Sequence, residues 1–196
     1  MDDLIINEIN VSQTLKTSLS KLTKGWISLL KIPVGSTLAI NLETIRILQE
    51  QNYEGIYITL SKECTELLTI FKERELDLSK IFFIDGISQL YGSKTVESPN
   101  VVYIDGPLSI DAIIEQIKHF CEKISGQKKF VFLDSITTVL LYNSLERTVN
   151  FSRFLLSTLK EIEMAGVVVS VSEGFANNSL LQELSILSDE IIQLRK

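Results

Sequence analysis

Cysteine, histidine and tryptophan are scarce in this chain: two, one and one residue respectively among 196. Cys64 and Cys121 lie far apart, each in a predicted helix, which excludes a disulfide framework or a structural zinc site as the organising feature. His119, in IIEQIKHFCEKI, points away from the face of Ile113, Ile117 and Ile124 and has no paired acid or cysteine. It reads as a surface residue, and no metal site is expected. Three prolines, nine glycines and no glycine- or proline-rich linker leave nothing to divide the chain into separate cores, and its length suits one domain. No apolar run approaches the roughly 18 to 20 residues needed to cross a bilayer, so no membrane association is expected. The start MDDLIINEIN is acidic, unlike a signal peptide, which places the expected location in the cytoplasm. Positive charge is also in deficit: Lys plus Arg number 19 against 25 Asp plus Glu, for a net charge of −6. The densest basic stretch, Lys16, Lys21, Lys24 and Lys31, is spread along a helical pattern rather than gathered into a patch. A nucleic-acid partner is therefore not expected.

What the sequence does contain is a series of short, continuous Val, Ile and Phe runs: TLAI (37–40), GIYITL (55–60), KIFFID (80–85), FVFLD (130–134) and VVVSVS (167–172), with NVVYID (100–105) and EIIQL (190–194) as further candidates. Runs without polar alternation indicate strands covered on both faces. Helical spacing of apolar residues falls between them, over 41–52, 62–75, 109–124 and 144–165. Gly166 is placed to end the last of these in a left-handed cap, and a final helix opens with the capping pair Ser179 and Gln182. This alternation predicts an α/β fold with a mostly parallel sheet flanked by helices on both faces. Residues 1–30 lie outside it and read as an N-terminal helical appendage to an α/β domain over 31–196. Val11, Leu15, Leu19 and Leu22 form an apolar stripe there, continued by Trp26, Leu29 and Leu30. Such a stripe either packs on its own sheet or forms a docking surface for a partner.

Ligands of open parallel sheets bind beyond the carboxyl ends of the strands, and three predicted strands end there on aspartate: Asp85, Asp105 and Asp134. Asp85 and Asp105 are each followed by glycine and read as turn formers. Asp134, followed by Ser135, is the more suggestive. Together the three also admit a metal-assisted hydrolase, if they are not ordinary turn residues.

The succession GIYITLSKE, FVFLDSITTVLLYN, a long helix, VVVSVSEG and LSDEIIQL resembles the core of the KaiC/RecA-like ATPases, the archaeal KaiC-like proteins in particular, over roughly residues 34–196. The resemblance implies a P-loop NTPase fold, with Asp134 and Ser135 in the place of the Walker B element, Ser172 and Glu173 at the end of the next strand, and Asp189 as the closing aspartate. Two departures accompany it. A Walker A loop needs glycines to wrap the phosphates, a lysine for the outer phosphates and a hydroxyl for magnesium. It is expected after TLAI, where residues 41–54, NLETIRILQEQNYE, contain neither glycine nor lysine. The Lys-Gly pair in LTKGW (22–26) lacks the spacing. The family's glutamate pair after the second strand is replaced by Ser61 and Lys62, with Glu63 displaced by one, and a protonated lysine cannot act as the base.

These features lead to the expectation of a degenerate, non-hydrolytic KaiC/RecA-like domain acting as a protein-interaction or regulatory module. It would need no cofactor, and its partner would be a protein or a second copy of itself. The alternative is an ATPase or nucleotide-binding protein using ATP and magnesium at a rearranged site of Asp134, Ser135, Ser172 and Glu173.

Overall fold

The computed structural model of the chain describes residues 2–162, 166–172 and 178–194. Seven strands form one parallel sheet: β1 (Ile27–Ile32), β2 (Tyr53–Thr59), β3 (Ile81–Asp85), β4 (Val101–Tyr103), β5 (Lys128–Asp134), β6 (Gly166–Ser172) and β7 (Glu190–Gln193). Their spatial order is β4-β3-β2-β5-β6-β1-β7. The helices are α1 (Asp2–Leu19), α2 (Thr37–Glu50), α3 (Cys64–Glu73), α4 (Ile110–Lys123), α5 (Ile136–Tyr142), α6 (Leu145–Ile162) and α7 (Asn178–Leu187), with a 3₁₀ turn at Leu78–Lys80. No helix among the described residues is long and apolar enough to cross a membrane.

Strand side chains alternate between two buried layers. Leu30, Ile32, Tyr57, Phe83, Phe130, Phe132 and Val168 share one core with residues of α1, α2 and α3; Ile27, Leu29, Ile56, Ile58, Val131, Leu133, Val167 and Val169 share the other with α4 to α7. Burial on both faces explains why most strands read as continuous apolar runs.

The N-terminal third differs from the expectation in three places. TLAI is not a strand but the first turn of α2, with Ser36 in the N-cap position. A four-residue apolar run does not distinguish strand from helix, and Leu and Ala both favour helix where Ile40, Thr44, Ile45 and Leu48 continue the buried stripe. The first strand is instead ISLLKI, inside the stretch expected to be helical, and it pairs with β6 on one side and β7 on the other. Finally, the apolar stripe of α1 is covered by the protein itself. Leu15 and Leu19 are fully buried, Leu22 is nearly so, and Val11 and Trp26 pack against the same core. The Tyr53 hydroxyl donates to the Leu22 carbonyl at 2.6 Å, pinning the end of this segment to the start of β2. The stripe is thus not a free docking surface.

Gly166 is likewise not a helix cap. It is the first residue of β6, and a Cβ built on it would lie 2.1 Å from Leu22 Cγ. The glycine is what lets the α1–β1 connection close over the sheet. Gly166→Ala is expected to destabilise the fold by about 1 to 3 kcal/mol through overpacking, read as a lower urea midpoint at unchanged slope.

Candidate functional site

Because all strands are parallel, the carboxyl ends of β1, β2, β5 and β6 converge on one edge of the sheet. A cleft of about 290 Å³ opens there, lined by Gly35, Thr37, Leu38, Asn41, Ser61, Lys62, Asp134, Ser135, Thr137, Thr138, Leu141 and Ser172. Five of the candidate residues therefore meet in it: Ser61, Lys62, Asp134, Ser135 and Ser172. Glu173 lies outside the described residues.

Asp134 forms the floor. It is the last residue of β5 and is 2 % exposed, and its peptide bond to Ser135 is cis. On the neighbouring β2, Thr59 stands opposite Asp134 and Tyr57 opposite Phe132, which makes Tyr57 the diagonal neighbour of the carboxylate. The Tyr57 ring stacks on Phe132 at 5.1 Å and meets Phe71 edge-on at 5.5 Å, so the hydroxyl is held in place and donates to Asp134 Oδ2 at 2.6 Å. Ser61 Oγ donates to the same oxygen at 3.1 Å. Asp134 Oδ1, itself closed off from solvent, has no hydrogen-bond partner among the described residues. Asn41, in α2, lies beside the Asp134–Tyr57 pair without either amide atom completing a hydrogen bond. Burial pushes the Asp134 carboxyl above its ordinary range, against the opposing pull of the Tyr57 and Ser61 hydrogen bonds, of the adjacent Asn41 side chain and of Lys62. The Tyr57 phenol is raised well above its usual range by burial and by the adjacent carboxylate.

The remaining walls are hydroxyls. Ser135 Oγ and Thr137 Oγ1 lie 2.7 Å apart, and the Ser172 N–H donates to Thr137 Oγ1 at 3.2 Å, tying the start of α5 to the end of β6. Lys62 lines the cleft, but its ammonium is paired with Glu66 Oε1 at 2.6 Å, one helical turn on. Between β1 and α2 the chain spans only Pro33, Val34, Gly35 and Ser36; Gly35 adopts φ +82° there, and the Ser36 N–H donates to the Pro33 carbonyl at 3.2 Å. This connection follows the first strand and opens the first crossover helix. The expectation that placed it at 41–54 was displaced because TLAI was taken for the strand.

The other candidates are elsewhere. Asp85 is buried and accepts hydrogen bonds from the N–H groups of Cys64, Ile87 and Ser88 and from the Ser88 hydroxyl, which is the turn-forming role. Asp105 is exposed on the turn after β4. Glu63 sits at the N-cap position of α3 and accepts from Ser93 Oγ at 2.6 Å. The three aspartates do not gather, and no group of three His, Cys, Asp or Glu among the described residues could hold a metal ion. Asp189 is at the opposite edge of the sheet, where it accepts from the Ile27 N–H at 3.0 Å and pairs with Lys160 at 2.8 Å. Burial would raise its carboxyl, but the Lys160 ammonium and the Ile27 N–H outweigh that and hold it low. Burial pushes the Cys64 thiol up to about 12 and that of Cys121 to about 11, which keeps both protonated at neutral pH.

Gly35, Thr37, Asn41, Tyr57 and Thr137 escaped the sequence reading. For the first two the signal was present, a glycine and two hydroxyls opening a helix in PVGST, but it is visible only once ISLLKI is recognised as the strand before it.

Residues 29–196 match the model of a family of unknown function, DUF7090. The chain belongs to this family. No curated protein matches it. Among solved structures, the uncharacterized protein PH0321 from Pyrococcus horikoshii, crystallised in complex with an unknown peptide, superposes with a TM-score of 0.70 at 15% identity, over 91% of this chain and 81% of that one. The KaiC-like protein PH0186 from Pyrococcus horikoshii OT3 gives a TM-score of 0.58 at 16% identity, over 86% of this chain and 70% of that one. This DUF7090 member thus has a KaiC-like α/β fold, in agreement with the expected fold class.

The Asp134 environment sets a pH signature. A carboxyl raised above its unfolded value of about 3.9 holds its proton more tightly in the folded state, so the wild type loses stability as pH rises from that value through the folded one. Asp134→Asn removes this titration while keeping the shape. The variant is expected to gain stability over the wild type in chemical denaturation as pH rises to neutrality, and the gain should disappear near about pH 4.

Proposed function

We propose that this chain is a non-catalytic KaiC/RecA-like domain that acts as a protein-interaction or regulatory module, with the carboxyl-terminal edge of its sheet as the binding face. The observation that carries the reading is the four-residue connection from β1 to α2. A Walker A loop spans eight residues whose backbone N–H groups wrap the phosphates and whose lysine reaches the outer ones. Here the connection has one glycine, no lysine, and a proline that offers no N–H. The position from which relatives of this fold would orient water is held by Ser61 and by Lys62, which is paired with Glu66. Glu63, one residue on, is turned toward Ser93.

The edge carries features suited to a polypeptide. Leu90, Tyr91, Leu141 and Tyr142 are each more than half exposed. The two tyrosine hydroxyls are in contact, which joins the turn after β3 to the end of α5. Contiguous exposed apolar and aromatic side chains of this kind mark protein-binding sites. The unknown peptide bound to PH0321, which shares the fold, supports the same reading. The net charge of −6 disfavours a nucleic-acid partner. On this reading the module requires no cofactor, and its partner is another protein or a second copy of the chain.

A second reading, a nucleotide site rearranged around Asp134, is favoured by the unpartnered Asp134 Oδ1 in a cleft that also holds Thr37 and Ser135. Calorimetric titration with magnesium-ATP separates the two. Binding weaker than about 1 mM, roughly −4 kcal/mol, is expected, with no phosphate release. Micromolar affinity would replace the first reading with the second.

A further inference from the structure

The carboxyl-terminal edge of the sheet is crossed by a ridge whose two ends differ in chemistry. Residues 86–100, after β3, run from α5 to β4, and three contacts trace their path. The Tyr91 hydroxyl meets that of Tyr142 at the end of α5, Ser93 Oγ donates to Glu63 Oε1 at the start of α3 at 2.6 Å, and the Val96 N–H donates to the Tyr103 hydroxyl at the end of β4 at 2.8 Å. At the α5 end the ridge is apolar: Leu90, Tyr91, Leu141 and Tyr142 are each more than half exposed, and Leu141 also lines the cleft with Leu38. At the β4 end it is acidic. Glu97, Asp105 and Asp111 are exposed there beside one lysine, Lys94, and none of these four is in an ion pair among the described residues. By contrast Glu50, Asp189 and Glu190, on the amino-terminal side of the sheet, are each matched by a lysine of the same chain.

We propose that this ridge docks an extended cationic segment of another protein, with one apolar side chain seated against Leu38 and Leu141 and with lysine or arginine about four positions away facing Glu97 and Asp105. The inference rests on reading this edge as a polypeptide-binding face, and it names the chemistry of the partner. The unpaired acids choose the sign. They repel a second copy of a chain whose net charge is −6 and attract a basic segment, for which the open tyrosine faces are also favourable neighbours. The cleft, at about 290 Å³, seats one side chain rather than the row of anchors that an amphipathic helix presents, which favours an extended segment. The spacing follows from the sheet. The ends of β5, which leads into α5, and of β4 are three strand spacings apart, roughly 14 Å at about 4.8 Å each, a span of about four residues in extended conformation.

The full chain, ¹⁵N-labelled, is titrated with a capped hexapeptide of one leucine, three alanines and two lysines in that order, and with the reversed order, while the backbone amides of Leu141, Tyr142, Glu97 and Asp105 are followed by NMR. Saturable shifts at both ends of the ridge are expected with one of the two orders. Glutamates in place of the lysines, or alanine in place of the leucine, are expected to weaken binding at least about tenfold. The double variant Glu97→Lys, Asp105→Lys is expected to do the same, and raising salt from about 0.05 to 0.5 M should weaken the lysine peptide. Because the peptide series leaves the protein untouched, the comparison holds even if the variant folds poorly. Equal binding of the glutamate peptide would show an apolar patch without charge selection, and equal binding of the alanine peptide would show only general attraction to an acidic protein. Shifts of the same amides on concentrating the protein alone would show an interface between two copies. Any of these, or no response to either lysine peptide up to about 5 mM, overturns the proposal. Micromolar binding of magnesium-ATP in parallel would overturn the module reading itself, whereas silence toward both kinds of ligand would sink only the cationic partner.

Discussion

Burial of the sheet on both faces is the constraint from which the rest follows. With helices over each side, the interior strands have no wet face, and their backbone groups are satisfied only by their neighbours. Polar chemistry is thereby driven to the two edges where strands end. The amino-terminal edge is closed by structural contacts, Asp189 to the Ile27 N–H and to Lys160 and Tyr53 to Leu22. The carboxyl-terminal edge is where loops, helix starts and hydroxyl side chains leave a cleft open.

Within that cleft the decisive group is made by packing as much as by polarity. The aromatic cluster of Tyr57, Phe71, Phe83 and Phe132 excludes water from one side of Asp134 and aims a phenol at it. The same burial that orders the carboxylate raises the cost of its charge, so a side chain that looks from its position like an ordinary strand-end acid behaves as a strained acceptor. Asp85 shows the contrast. Also buried, it is saturated by three N–H groups and a hydroxyl, and nothing remains for a ligand to do there.

Much of this was legible in the residues. Strands β2, β3, β5 and β6 announced themselves because their Val, Ile and Phe runs are what two-sided burial demands; the strand-end rule then pointed to Asp134, and the resemblance to the KaiC/RecA-like ATPases added Ser135, Ser172, Ser61 and Lys62. ISLLKI hid because a serine and a lysine interrupt it and because it follows lysines and leucines at helical spacing; its membership of the sheet is decided by partners near the far end of the chain. ITTVLLY, whose β-branched residues favour extended backbone, raised no helical expectation, yet it forms α5. Misplacing the first strand carried the connection to α2 with it and concealed Gly35, Thr37 and Asn41. Tyr57 was hidden for another reason: no local pattern separates a tyrosine that only fills a core from one whose hydroxyl reaches a carboxylate on the next strand.

The place of β1 in the sheet has a consequence for how the chain reaches its structure. Its two hydrogen-bonding neighbours, beginning at Gly166 and Glu190, are synthesised long after β1 itself. Until they arrive, an apolar strand has both of its ladders open, and the helices on either side of it have no complete surface to rest on. Folding must therefore wait on contacts of large sequence separation, the class that slows collapse to the native state and exposes strand edges to other chains in the meantime. During that interval Ile27–Ile32 is an unpaired apolar strand, and the short strand β7, by covering the outer side of β1, completes its pairing.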